Sequence, residues 1–199
     1  MLCIRAFLYS KFSSIFLIIS SLFVEKPISK SLTTTIESST CIDIELAKLW
    51  EIISMPGILE KTHPFCQTNA IIRWDCESSI DTIVYYNGRT MQRNFIDWNE
   101  GQGYQLLIGQ NELADALVTW SIKQSQKHSI LSIHLVLYLD NSLAHIPKLF
   151  RGIISRLYLA PMMKSYLNSV LYGFKFFSEK KQKVTKNQFG YNHLFSTKS

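Results

Sequence analysis

Between residues 31 and 139 the chain reads as a series of short period-two stretches. The clearest is 129–139, where Leu131, Ile133, Leu135, Leu137 and Leu139 share one face and Ser132, His134 and Tyr138 share the other. That pattern belongs to a strand with one buried face. Stretches 31–41, 69–75, 80–86, 90–98, 103–108 and 116–124 read the same way, rich in Thr, Ile, Val and aromatics. Turn chemistry separates them. Asn87-Gly88 predicts a two-residue hairpin, and the 99–103 and 126–128 segments supply further breaks.

Helical periodicity flanks this block. Asp43 is placed to cap a helix over 44–54 with Leu46, Leu49, Trp50 and Ile53 on its buried face. Met55-Pro56-Gly57 ends it, a short helical turn over 58–61 follows, and Pro64 turns the chain at His63. After a loop over 140–146, Pro147 opens a helix that carries Leu149, Phe150, Ile153, Ile154 and Leu157. Pro161 is expected to interrupt and kink it. The last helix, 158–178, carries Met162, Met163, Tyr166, Leu167, Val170, Leu171 and Phe174 at three-and-four spacing. At about 1.5–3 kcal/mol per fully buried side chain, that face needs a partner surface, and the strands upstream supply one.

Composition adds three points. Hydrophobic residues at 47% and aromatics at 13% argue for a packed core and against disorder. The net charge of +6 is uneven: residues 145–199 carry +9 and the remainder −3. The basic end reads as a solvated face or as a surface for an anionic partner. Residues 1–27 form an apolar extension whose 12–24 run is shorter than a spanning helix needs. It reads as a signal peptide, a membrane tether or an extension ahead of the domain, with a cytoplasmic or membrane-associated location favoured over export. Residues 28–179 form the domain, and 180–199 form a basic, aromatic tail expected to pack back on it.

The order of strand, two short helices, six strands and a long helix resembles the SRPBCC superfamily, which includes START lipid-transfer domains, the major birch-pollen allergen and aromatic polyketide cyclases. Local features carry the likeness too: Leu49-Trp50-Glu51-Ile52-Ile53 before Pro56-Gly57, His63-Pro64-Phe65-Cys66, Tyr85-Tyr86-Asn87-Gly88, and Trp98-Asn99-Glu100-Gly101 with Gly103-Tyr104. Pro161 and Asn187-Gln188-Phe189-Gly190 fit it as well. The resemblance implies an α+β helix-grip fold: a seven-stranded curved antiparallel sheet, two short helices and a long C-terminal helix over the concave face. It also implies a cavity between sheet and helix for a hydrophobic or amphipathic ligand. Trp120, Leu135, Met162, Met163, Tyr166, Val170 and Phe174 are the expected ligand-binding residues, the methionines as adaptable walls and the rings as flat ones.

Four charges interrupt the strand pattern: Arg73, Asp81, Arg93 and Asp97. Each either faces solvent or is paired inside, because a lone buried charge is very costly. Arg93 with Asp81 is the pair singled out. His63 either fixes its turn or joins Tyr85 as an acid–base pair. If the protein is an enzyme, Arg93, Asp81, Tyr85 and His63 are its catalytic candidates, in a cyclase or dehydratase acting on a polyketide-like substrate. The residues contain no phosphate-binding glycine loop, nucleophile elbow or metalloprotease motif, and no helical His pair for the mononuclear iron of some superfamily members. Cys3, Cys41, Cys66 and Cys76 have neither disulfide-framework density nor a zinc spacing, and read as buried free thiols. No cofactor or metal is expected. The leading expectation is a non-catalytic binding or transport protein for a hydrophobic small molecule or lipid. A membrane surface is a second partner through the N-terminal segment or the basic C-terminus. A basic module contacting RNA, a ribosome or a membrane is the third reading, with nucleic acid the less favoured partner.

Overall fold

Alternation becomes pairing in the computed structural model, which describes residues 32–110 and 114–198. Strand β1 (Thr33–Ile42) is followed by helices α1 (Leu46–Ile53) and α2 (Leu59–Thr62). Strands β2 (Cys66–Arg73), β3 (Ile80–Tyr85), β4 (Thr90–Asn99), β5 (Gly103–Gly109), β6 (Ala116–Ser125) and β7 (His128–Tyr138) come next. A short α3 (Leu139–Ser142) stands where a plain loop was expected. Then α4 (Lys148–Ile154), a π-helical turn (Ser155–Leu159) and α5 (Ala160–Lys180) run without a break. The strands form one antiparallel sheet in the order β1-β7-β6-β5-β4-β3-β2. This is the predicted α+β helix-grip architecture. The predicted extension at 1–27 lies outside the described residues. Among the described residues, no helix is long and apolar enough to cross a membrane.

The inner face of the sheet follows the leucine pattern. Leu131, Ile133, Leu135 and Leu137 of β7 are buried, with Ala116, Val118, Trp120 and Ile122 of β6 on the same side. Trp120 lies directly opposite Ile133, and Val118 opposite Leu135. Such cross-strand apolar pairs contribute about 0.2–1 kcal/mol each beyond an alanine pair. His134 falls on the other face, as the alternation requires.

Strict alternation fails in β4. Met91, Arg93 and Phe95 point inward, so Asp97 would follow them. A bulge between Phe95 and Asp97 inserts one residue into the ladder. Ile96 and Asp97 both become exposed, and Trp98 stacks on Tyr104 with ring centroids 5.5 Å apart. The bulge spares the core a second carboxylate. The β3–β4 turn differs from expectation by one residue. Tyr85 N–H donates to Arg89 O, so the loop is Tyr86-Asn87-Gly88, with Gly88 in the left-handed region at φ 81°. Three-residue hairpin loops place glycine there.

Asp43 does not cap α1. The residue at the cap is Glu45, without a side-chain bond. Asp43 instead donates its N–H to Glu179 Oε1 at 3.0 Å and turns its carboxylate to His128 Nδ1 at 3.2 Å. Pro161 does not interrupt the helix either. It sits in the first turn of α5, directly after the π-helical turn. Proline lacks an N–H and crowds the carbonyl four residues back, and a widened turn at that point absorbs both effects. The thiols also divide. Cys66 is buried and free and Cys41 is free but exposed, whereas Cys76 is disulfide-bonded.

α5 packs on the sheet through Met163, Leu167, Val170, Leu171 and Phe174. It also buries Gly173, Ser169 and Ser178, which the apolar pattern does not mark. Ser169 Oγ donates to Phe189 O at 2.7 Å, which ties the predicted fold-back of the tail to the helix. Gly173 permits the closest approach. A Cβ there would lie 2.0 Å from Thr62 O and 3.2 Å from Pro64 Cδ, so α5 rests against the turn that holds His63. Gly173→Ala is expected to cost about 1–3 kcal/mol by overpacking, despite alanine's better helix propensity. A urea melt of the variant checks this.

Candidate functional site

Under α5 lies a cavity of about 580 Å³. Strands β3 to β7 provide its floor, through residues such as Ile83, Met91, Leu106, Val118 and Ile133. Met162, Met163, Leu167 and Val170 of α5 form the roof, and Ile146, Ile154 and Tyr158 close one end. A mostly apolar hollow of this size with a few convergent polar groups is the usual form of a small-molecule site.

Of the residues expected from the sequence, Trp120, Leu135, Met162, Met163, Tyr166, Val170, His63, Tyr85 and Arg93 line the cavity. Phe174 does not. It is fully buried beyond the cavity, edge-on to Trp120 at 5.0 Å. Asp81 is also outside the lining, behind Arg93.

The polar end is a chain of hydrogen bonds. Phe65 N–H donates to His63 Nδ1 at 3.2 Å, so Nδ1 carries no proton. Nε2–H therefore donates to Tyr166 Oη, 2.9 Å away. Tyr166 Oη and Tyr85 Oη lie 3.2 Å apart. The two hydroxyls own two protons, and the bond between them uses one. The other is available to an acceptor in the cavity that both rings line.

Environment fixes the protonation of this chain. Burial holds His63 down at about 3, helped by the Arg93 charge, so the imidazole is neutral. Burial raises Tyr85 to about 12, only partly opposed by its bond with Tyr166. Burial also holds Tyr166 well above the ordinary phenol value, with Tyr85 adding to the effect. These groups donate hydrogen bonds well and exchange protons poorly at neutral pH.

Arg93 is inward but committed. Its Nε donates to Asp81 Oδ1 at 2.7 Å and its Nη2 to Asp81 Oδ2 at 2.5 Å. The two stand opposite each other on adjacent strands, Asp81 of β3 against Arg93 of β4. Burial alone would lower the guanidinium's affinity for its proton, but the Asp81 carboxylate more than offsets it and the pKa rises. Arg73 and Asp97 are exposed on the outside of the sheet.

Two groups escaped the sequence reading. At the rim, Arg89 and Asp115 lie 3.9 Å apart and both line the cavity. Only the folded sheet brings them together, so no spacing signalled them. Leu194 and Phe195 of the tail also wall the cavity, and Phe195 packs on Tyr166 at 4.4 Å and Tyr85 at 4.7 Å. The tail's aromatic content was the signal available for that. Among the described residues, no group of three or more His, Cys, Asp or Glu is placed to hold a metal ion.

No protein-family model matches the sequence, and no curated protein sequence does. Solved structures match by fold. The di-domain ARO/CYC protein StfQ of the steffimycin biosynthetic pathway aligns with TM-score 0.62 at 12% identity, over 75% of this chain and 52% of that one. A norcoclaurine synthase point mutant from Thalictrum, in complex with a transition-state analogue, aligns with TM-score 0.51 at 11% identity, over 72% and 95%. Ara h 8.0201 aligns with TM-score 0.51 at 13% identity, over 74% and 98%. At these identities the likeness is one of fold alone: the chain shares the helix-grip architecture of these structures.

Proposed function

We propose that the protein binds a hydrophobic small molecule or lipid carrying one hydrogen-bond-accepting oxygen. The observation that carries this is the spare hydroxyl proton of the Tyr85–Tyr166 pair at the end of a mostly apolar 580 Å³ cavity. The apolar body of the ligand lies between the methionines of α5 and the aliphatic floor, and its oxygen accepts from the tyrosine pair. Neutral His63 holds Tyr166 in place without adding charge. The test is native mass spectrometry of the purified full chain with extraction of bound lipid, backed by titration with an apolar fluorescent probe. Tyr85→Phe is expected to weaken an oxygen-bearing ligand about tenfold, the scale of one lost hydrogen bond in a dry site, while leaving a pure hydrocarbon probe unchanged. Equal losses for both ligands would remove the assigned role of the hydroxyl.

A second reading, a cyclase or dehydratase, is favoured by the convergence of His63, Tyr85 and Tyr166 inside the cavity. The protonation states count against it, because a histidine held near 3 is a weak base and phenols held well above their ordinary value are weak acids. Turnover of a poly-β-ketone thioester that is lost in Tyr85→Phe would establish it.

A further inference from the structure

Helix α4 is amphipathic in the wrong sense for a water-facing element. Its arginine is buried and its large apolar residues are not. Arg151 is 7% exposed, whereas Leu149 is 81% and Leu157, in the π-helical turn, 74% exposed. Phe150, Ile153 and Tyr158 stand out beside them. Of Leu149, Phe150, Ile153, Ile154 and Leu157, only Ile154 is even partly buried. The physical reason is Arg151, which turns the helix. Its Nη1 donates to Asp140 Oδ1 at 2.6 Å, its Nε to Ile146 O at 2.7 Å and its Nη2 to Ala144 O at 3.1 Å. Those three bonds clamp the polar side of α4 to the α3 loop and drive the leucines outward.

A contiguous exposed apolar patch of this kind marks an interaction surface. We infer that α4 and the π-helical turn lie in the interface of an anionic membrane, beside the mouth of the cavity. Charge identifies the partner. From Asn141 to Ser178 the chain contains no Asp or Glu, and Lys148 and Arg156 stand exposed within the same segment, while Lys164 donates to Glu37 O of β1. The acids at this end are already paired, Asp140 with Arg151 and Asp115 with Arg89. Apolar residues flanked by lysine and arginine, without acids, fit an anionic headgroup layer over an acyl boundary. Continuity with the cavity adds to this. The same segment lines the hollow on its inner side through Ile146, Ile154 and Leu159. It is a cover with a greasy inside and a greasy outside. The segment borders the tail, where His193 Nε2 lies 2.9 Å from Tyr158 Oη, and the inference stands whatever occupies the cavity.

The test is flotation of the full chain with vesicles of phosphatidylcholine containing about one third phosphatidylglycerol. The parent is expected to float with these and not with phosphatidylcholine alone. Leu149→Ser/Leu157→Ser is expected to lose about tenfold or more in partitioning, since two inserted leucines are removed. Both side chains point to solvent, so the variant keeps the parent's melting temperature. Phe150→Trp is expected to gain fluorescence quenching by lipids brominated in the upper acyl chain, beyond that of the parent. Equal flotation of parent and double variant would assign any binding to residues 1–31 or to the lysine-rich tail and overturn the inference. So would absence of flotation, or a parent dimer that the double substitution turns into a monomer.

Discussion

Asp81→Asn lowers the unfolding free energy by about 3–5 kcal/mol, the largest single-site loss expected in this fold. The carboxylate is fully buried and its partner guanidinium is 7% exposed. Asparagine keeps the shape and removes the charge. Arg93 is then left as a cation in a dry site, with one carbonyl oxygen where two charged acceptors stood. The guanidinium lies over the Phe95 ring at 5.4 Å, a weaker compensation than a carboxylate. Urea melts check the value, and the double variant Asp81→Leu/Arg93→Met separates the causes. A buried pair is costly to break and inexpensive to replace as a unit, so the double variant should recover most of the loss. A double variant as unstable as Asp81→Asn would show that shape, not unpaired charge, sets the cost.

Acid destabilises the protein through His63, well above the pH at which carboxylates titrate. The folded-state value is about 3 and the unfolded value 6.5, because burial and Arg93 disfavour the imidazolium. A depressed histidine keeps its full contribution above 6.5. Below that the unfolded chain binds a proton that the folded chain refuses, and stability falls with a slope of about 1.4 kcal/mol per pH unit. Carried to pH 3 the loss is about 4–5 kcal/mol. Glu179, held below its usual range by the Asp43 N–H and Lys175, begins to contribute only at lower pH. Urea midpoints at pH 7, 6, 5 and 4 for the parent and His63→Gln check the claim. The variant should start less stable and change less between pH 6.5 and 4.5. Parallel curves would place the acid sensitivity elsewhere.

How much of this was legible in the sequence depended on what decided each feature. The inner face of β7 follows from five alternating aliphatics, and the long helix from the spacing of Met163, Leu167, Val170 and Phe174. Both are local patterns that tertiary packing reinforced. The tail was legible from its aromatics. The exclusion of Asp97 was not, because a bulge is an insertion in a ladder and alternation alone has no marker for it. The outward face of α4 was not legible, because apolar periodicity says which side chains align, not which side the rest of the chain covers. There Arg151 found three acceptors in the preceding loop, and hydrogen bonding overrode hydrophobic burial. Phe174 was assigned to the cavity by its place on the right helix face. Its height along the helix, against Trp120, depends on the sheet. The Tyr85–Tyr166–His63 chain was half legible: His63 and Tyr85 were paired as candidates, but their link through Tyr166 needs α5 laid across β3.

The placement of the first strand bears on how the chain reaches this state. β1 pairs along its whole length with β7, Thr33 opposite Tyr138 and Ile42 opposite Ser129. During synthesis its hydrogen-bonding edge therefore waits until the last strand has emerged. Closing so long a loop is entropically expensive and slow, and places the domain among millisecond-to-second folders. Until then an unpaired strand rich in threonine and isoleucine is open to other chains, so nascent fragments ending before β7 should be the ones that aggregate or recruit chaperones.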